Sequence, residues 1–459
     1  ILTSDHGEGR GNHDELSHGL FIYDSTIHVP LLISGPGLAT GKEIQTQTRA
    51  IDVMPTALAL TGVALPSGLD GRSLLPLIRG ENWQESDAIS ESLYAMVLGW
   101  HPLFSVRNSR WKYVDASKPE LYDLAKDPGE TTNVVEPNQA VAHQFAEKLK
   151  PLATQLQQGF RQAQVHDPDL EEKLKSLGYL SGSWTDTKQE WDKLPDPKDK
   201  IAVWKLYEQS LYLMLDQKQD QARALLEQAV KIDSHVGAMF DLLARLSLSS
   251  ETSKSIEYLK QALQIEPDNA YYHHKLATCY RRTQQFQAAV EEDQIALRIA
   301  PQMEEALIGL GTTYLDLGRP KDALLCFQKV MQFDPQSASA AHESGTAFRA
   351  LGDAPHAEQF YSKSVELNPN LPDSYNALGV MRAQNKDYPG AEQYFYTALK
   401  KNPQFVEAYF NLGITYDKQN RVEDARKAFQ KFLQAQQNDP RYGARVEKAR
   451  LWLQEHGGA

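Results

Sequence analysis

From about residue 201 onward the chain repeats itself: Pro267, Pro301, Pro335, Pro369 and Pro403 are each 34 residues apart, and so are Gly311, Gly345, Gly379 and Gly413. Ala289, Ala323, Ala357, Ala391 and Ala425 hold the same step, and a bulky position, Leu259, Phe327, Tyr361, Phe395 and Phe429, stays in register with them. The pattern predicts a stack of helical hairpins, one per period. Small residues belong where the two helices of a hairpin touch, the bulky residue fills the gap between hairpins, and proline ends the second helix. Repeats are expected to start near 236, 270, 304, 338, 372 and 406, preceded by a degenerate one near 203 that keeps Ala222 and Ala229 but has no proline. The segment Pro440 to Gly457, with Leu451, Trp452 and Leu453, reads as the capping helix that such a stack requires.

The first part of the chain has a different rhythm. Ile1 to Glu8 reads as the end of a strand running into a polar loop, and Val29 to Ile33 as a β-branched strand closed by Ser34-Gly35-Pro36-Gly37. Ile51 to Leu60 predicts a short helix with Pro55 in its first turn. Ser105 to Val114 alternates as one antiparallel strand, with Glu120 to Leu124 as its partner before the loop Lys126-Asp127-Pro128-Gly129-Glu130. Residues 131 to about 180 read as helical, with Val141, Phe145, Leu149 and Leu152 on one face, and Ser181 to Lys200 as a linker. The expected division is 1–135, a helical segment and linker over 136–200, repeats over 201–437, and a cap over 438–459.

Charge narrows the partners. A net charge of −12, from 48 basic and 60 acidic residues, argues against a nucleic-acid or anionic-membrane surface. No apolar run is long enough to form a transmembrane segment. Cys279 and Cys326, the only cysteines, exclude a disulfide framework and read as packing residues inside repeat helices.

Asp5 and His6, at the end of a strand, offer an oxygen and a nitrogen to one divalent cation, calcium, magnesium, manganese or zinc. Two larger resemblances give this pair a context. Leu378-Gly379, Ala391, Phe395, Ala398 and Pro403 resemble the tetratricopeptide repeat (TPR), as do Leu412-Gly413, Tyr416, Ala425 and Phe429. Ser4-Asp5-His6-Gly7-Glu8, His13, Gly19 to Asp24, Val29 to Ile33, Ile51 to Thr56 and Gly71 to Leu77 resemble, in order, the C-terminal half of sulfatases of the alkaline phosphatase superfamily. Arg107 to Val114 and Glu120 to Glu130 look like that family's small antiparallel subdomain. The implied fold is a partial α/β sulfatase domain followed by an all-α TPR solenoid.

The sulfatase resemblance implies a divalent metal, usually calcium, held in part by Asp5 and His6, and a sulfate-ester substrate. It also implies a formylglycine nucleophile made in a Cys/Ser-x-Pro-x-Arg motif, which is absent from residues 1–459, as is the family's early acidic pair. The chain therefore reads as the downstream part of a longer polypeptide whose start, with any signal or anchor, lies elsewhere; the compartment stays open. The fragment is expected to lack sulfatase turnover and to expose a half-built parallel sheet.

At the place where many sulfatases carry a lysine that touches sulfate, thirteen residues after Asp5, this chain has His18, a candidate ligand for the substrate anion or the metal. Glu8 and His13 are expected to orient the ligands, while His28 and His101 read as ordinary surface or packing residues. Two other functions stay open: a phosphate or phosphonate ester hydrolase of the same superfamily, and a TPR scaffold on a vestigial hydrolase platform. In the TPR part, the groove positions include Tyr271, His274, Arg281, Ile308, His342, Arg349, Asn376, Phe410 and Ile414, a surface suited to a protein or peptide.

Overall fold

A computed structural model describes residues 1–35, 37–162, 191–436 and 442–456. Pro36, the expected helix beyond 162, the linker up to 190 and both ends of the expected cap segment lie outside the described residues. The chain divides into two compact units, Ile1–Tyr272 and His273–Ala459.

The first unit opens with β1 (Leu2–Thr3) and β2 (Leu31–Leu32), flanking a loop and the short helix α1 (Asp24–Ile27). Helices α2 (Val53–Leu60) and α3 (Leu75–Arg79) follow, then a four-stranded sheet of β3 (Ala88–Ser92), β4 (Leu103–Arg107), β5 (Trp111–Asp115) and β6 (Glu120–Asp123) in the order β3-β4-β5-β6. Every pairing among the described residues is antiparallel, including β1 with β2, where Leu2 faces Leu32. The expected parallel half-sheet is thus replaced by a two-residue antiparallel ribbon. Its edge is nonetheless exposed, with Leu2 at 61% and Leu32 at 59% of full accessibility.

The expected single strand from Ser105 to Val114 is two strands. Asn108 breaks it: its Oδ1 accepts from the amides of Arg110 (2.9 Å) and Trp111 (2.8 Å), which closes a turn without glycine or proline. In register, Val106 faces Tyr113 and Tyr113 faces Leu121. Both faces of the sheet are covered. Phe104, Val106, Tyr113 and Leu121 pack on Phe145 and Leu149 of α4 (Gln139–Gln162), while Leu103, Val114 and Tyr122 pack on Leu20, Phe21, Ile22 and Tyr23.

Residues 191–200 do not behave as a linker. Trp191 is buried and stacks on Phe104 at 5.7 Å, the His101 amide donates to the Pro195 carbonyl (2.9 Å), and Asp196 accepts from the Lys118 amide (2.9 Å). A run of Asp, Lys and Pro reads as loose chain in a sequence, but here it builds two 3-10 turns against the sheet, the second capped by the Asp196 side chain.

Helices α5 (Ile201–Leu215) and α6 (Gln219–Ile232) form the first hairpin, and α7 (Gly237–Ser247) and α8 (Thr252–Ile265) the second. Val203, Trp204 and Tyr207 of α5 share one buried cluster with Leu20–Tyr23 of the loop region and Met239 of α7. Next come α9 (Ala270–Arg282) with α10 (Phe286–Ile299), α11 (Glu304–Asp316) with α12 (Pro320–Phe333), and α13 (Ala338–Ala350) with α14 (Ala354–Leu367). The last are α15 (Pro372–Gln384) with α16 (Tyr388–Lys401), α17 (Val406–Lys418) with α18 (Val422–Ala435), and the closing helix α19 (Gly443–His456).

In the second unit the four repeats from residue 304 onward lock in the same way. A Cβ placed on Gly311, Gly345, Gly379 or Gly413 would come within 2.4 to 2.7 Å of the ring of Phe327, Tyr361, Phe395 or Phe429 respectively. The turn between paired helices reaches the left-handed region at one periodic position, Gln284, Gly318, Gly352, Lys386 and Asn420. Cys279 and Cys326 are buried and form no disulfide, and burial pushes the Cys326 thiol up to about 11, which keeps it protonated and unreactive.

Candidate functional site

The loop after β1 folds back on itself as a small ladder. The Gly9 amide donates to the Ser17 carbonyl (2.6 Å), Arg10 to Leu16 (3.2 Å) and Gly11 to Glu15 (2.8 Å). Only glycine permits the first of these, because a Cβ on Gly9 would stand 2.5 Å from the Glu15 carbonyl oxygen. The ladder sets Glu8 opposite His18, whose Nδ1 lies 3.1 Å from Glu8 Oε1. The His18 ring stacks on His6, with centroids 3.6 Å apart.

His6, Glu8 and His18 therefore present three ligand atoms within 4.8 Å of one another. His6 Nδ1 sits 2.9 Å from the Gly7 carbonyl, which can only accept, so Nδ1 is the donor and Nε2, 3.7 Å from Asp5 Oδ2, is the nitrogen left for a ligand. Two imidazole nitrogens and one carboxylate suit a divalent ion of borderline softness, and the group is half open to solvent.

The other residues expected at this site are placed differently. The Asp5 side chain is 86% exposed and its Oδ1 accepts from the His6 amide (3.0 Å), so it borders the group of three without joining it. Glu8, expected to orient ligands, is itself one of the three. His13 stacks on Tyr23 at 3.5 Å, where burial pushes its imidazole pKa down against the pull of Glu120.

Beneath the loop lies a buried ionic cluster that no sequence motif announced. Lys112, fully buried, reaches Asp24 Oδ1 (3.0 Å) and Glu130 Oε1 (2.6 Å), while Arg107 donates from Nε (3.2 Å) and Nη2 (3.1 Å) to Asp24 Oδ2. Burial raises the Asp24 carboxyl, but Lys112 and Arg107 outweigh it and hold the group below its ordinary value. At Glu130 burial wins and the carboxyl is raised. The cluster ties the segment after the loop to β4, β5 and the 127–130 turn.

Glu15 anchors the far end of the ladder. It is 1% exposed, and its Oε1 accepts from the amides of Leu20 (2.9 Å) and Phe21 (3.1 Å). Burial, helped by the nearby Glu208 and Glu8 carboxylates, pushes it up to about 7. Because the folded state then holds a proton that the unfolded chain releases at lower pH, this group's stabilisation is complete below about pH 4.5 and lost as pH rises to about 7. Glu15→Gln is expected to remove a loss on the order of 3 kcal/mol between pH 5 and 8, read from urea midpoints of both proteins across that range. Parallel pH profiles would show that Glu15 is ionised throughout.

The expected groove residues sit on first helices of the repeats. His274 pairs with Asp293 (2.8 Å), Arg281 with Asp316 (3.1 Å), and Asn376 accepts from Asn411 (2.8 Å). His342 bonds Ser374 (2.9 Å), and burial pushes its imidazole pKa down to about 4. Phe410 is buried against Phe432, whereas Arg349 is exposed and Tyr271, Ile308 and Ile414 are half-buried.

Residues 12–158 match the family model described as N-sulphoglucosamine sulphohydrolase, C-terminal, and residues 308–372, 360–393 and 382–448 match three tetratricopeptide repeat models. Arylsulfatase K from Canis lupus familiaris is 31% identical over 163 residues, 33% of this chain and 30% of that protein. Delta 4,5-hexuronate-2-O-sulfatase from Bacteroides thetaiotaomicron is 32% identical over 149 residues, 29% of this chain and 30% of that protein. The chain thus spans about a third of the length of these curated relatives. A tetratricopeptide repeat protein structure from Parabacteroides merdae is 16% identical with a TM-score of 0.48, covering 54% of this chain and 99% of that one. The chain carries a sulfatase C-terminal domain followed by TPR repeats. Sulfatase kinship implies a divalent metal dependence in general, TPR repeats imply protein interaction, and no described helix is long and apolar enough to cross a membrane.

Proposed function

We propose that residues 1–158 form the C-terminal portion of a metal-dependent sulfuric ester hydrolase, joined to a TPR arm that takes a protein or peptide. The observation that carries the reading is the convergence of His6, Glu8 and His18, of which His18 lies inside the 12–158 match and His6 and Glu8 stand just ahead of it. A divalent cation bound there would polarise an ester oxygen as a Lewis acid. His6 would contribute Nε2, Glu8 holds the Nδ1 edge of His18, and His18 would offer its other nitrogen to the cation or to a substrate oxyanion. Manganese and zinc suit this donor set directly; calcium, the family's usual ion, prefers more oxygens and would draw Asp5 inward.

The chain's own residues lack the nucleophile motif, so residues 1–459 are proposed to bind the cation without turning over an aryl sulfate. Titration calorimetry of the full chain with manganese, zinc and calcium chlorides is expected to show one site, weakened at least about tenfold in His6→Ala and His18→Ala. Binding indifferent to both substitutions overturns the site. Hydrolysis of an aryl sulfate by this chain, abolished by Asp5→Ala, overturns the claim of inactivity.

A further inference from the structure

We propose that α5, the first helix of the repeat array, is a positioning element of the candidate site, with Glu208 holding the His18 arm of the loop through Ser17. The Ser17 hydroxyl donates to Glu208 Oε1, and Ser17 immediately precedes His18 in the chain. One turn earlier on the same helix, Lys205 meets Asp14 at 3.0 Å. Ser17 lies on the returning side of the ladder, the side that carries His18, and Asp14 in the turn at its tip.

The physical case starts with what the loop lacks. Between Gly7 and Leu20 it has no helix beyond one 3-10 turn, and Arg10, His13 and Asp14 adopt left-handed backbone conformations that are costly for residues with side chains. Its own bonds are the three of the ladder, those that close the 3-10 turn and those of the Glu15 carboxylate, all made to residues of the same loop and its immediate continuation. The α5 contacts supply the remainder from a rigid base: Trp204 takes the edge of Tyr94 at 5.2 Å and is buried with Tyr207 in the cluster that contains Leu20–Tyr23. Of the two polar ties, Glu208 is the stronger, being buried at 7% exposure, whereas the Asp14 carboxylate is 73% exposed and solvent screens its pair with Lys205.

Glu208 acts on the site only through Ser17, so its effect must be local. The consequence for metal affinity rests on the reading of His6, Glu8 and His18 as ligands; the consequence for the loop does not. In the full chain, Glu208→Ala is expected to speed amide exchange at Gly9 and Gly11 about tenfold in metal-free protein and to weaken manganese binding by about the same factor. Exchange in the four-stranded sheet should stay unchanged. Glu208→Gln keeps an acceptor for the Ser17 hydroxyl and is expected to restore both values to within about twofold of the parent chain. Unchanged exchange at Gly9 and Gly11 in Glu208→Ala overturns the proposal. Faster exchange in a chain whose parent binds no manganese upholds the positioning role and overturns the metal reading instead. If Glu208→Ala fails to fold, Ser17→Ala, which removes only the hydroxyl, decides by the same two measurements.

Discussion

Lys112→Met is expected to destabilise the first unit by about 3–5 kcal/mol, the cost of removing one partner from a buried ion pair and stranding the other. The lysine is fully buried between Asp24 and Glu130. Asp24 keeps its Arg107 contacts after the substitution, so the stranded charge is mainly Glu130, whose carboxyl burial already raises. Protonation of Glu130 limits the loss, and the deficit should therefore shrink at acidic pH. All tryptophans except Trp452 precede residue 272, so fluorescence-detected urea unfolding reports this unit selectively. A loss below about 1 kcal/mol would place Lys112 in the class of surface pairs and refute the cluster's role.

The second large effect belongs to the repeats. Phe327→Ala is expected to cost about 3–5 kcal/mol, because the ring is completely buried and fills the space that Gly311 leaves open. Gly311→Ala approaches the same contact from the other side. In an open helix interior it would gain about 1 kcal/mol; here the new methyl would stand 2.4 Å from the Phe327 ring and the net result is a loss of about 1–3 kcal/mol. The two changes should be strongly non-additive, since alanine at 327 removes the ring that the methyl strikes. Circular dichroism at the helical band, followed through urea denaturation of the four proteins of the cycle, measures the coupling. Additive losses would mean that glycine and ring do not meet.

How much of this was legible depended on whether a residue's partner lay at a fixed sequence distance. The hairpins were readable because Gly311, Phe327 and Pro335 recur with one period, and a period survives any uncertainty about element ends. The Asp-His strand and the loop residues were readable as a motif, but His6, Glu8 and His18 were not readable as a set, since the ladder from Gly9 to Ser17 that joins them is made of backbone bonds. Asn108 hid a turn inside what looks like one strand because its side-chain oxygen replaces the usual glycine. Lys112 and Glu130 carry no mark of their pairing, which spans a hairpin and a turn. Trp191 and Asp196 sit in a composition typical of linkers, and only their packing on Phe104 and Lys118 distinguishes them.

The cluster that buries Val203, Trp204 and Tyr207 together with Leu20–Tyr23 also bears on how such a chain can be recombined. A seam drawn by homology, between the sulfatase-type match ending at 158 and the repeats, passes through a single hydrophobic core. Exchanging the sulfatase-type part for another at that seam would expose aromatic surface on both pieces. Gain or loss of repeats is better tolerated from residue 304 onward, in steps of 34 residues that reproduce the same glycine-to-ring lock each time. The first two hairpins are therefore packed as one piece with the sulfatase-type part, and a change in repeat number is expected to be tolerated behind them.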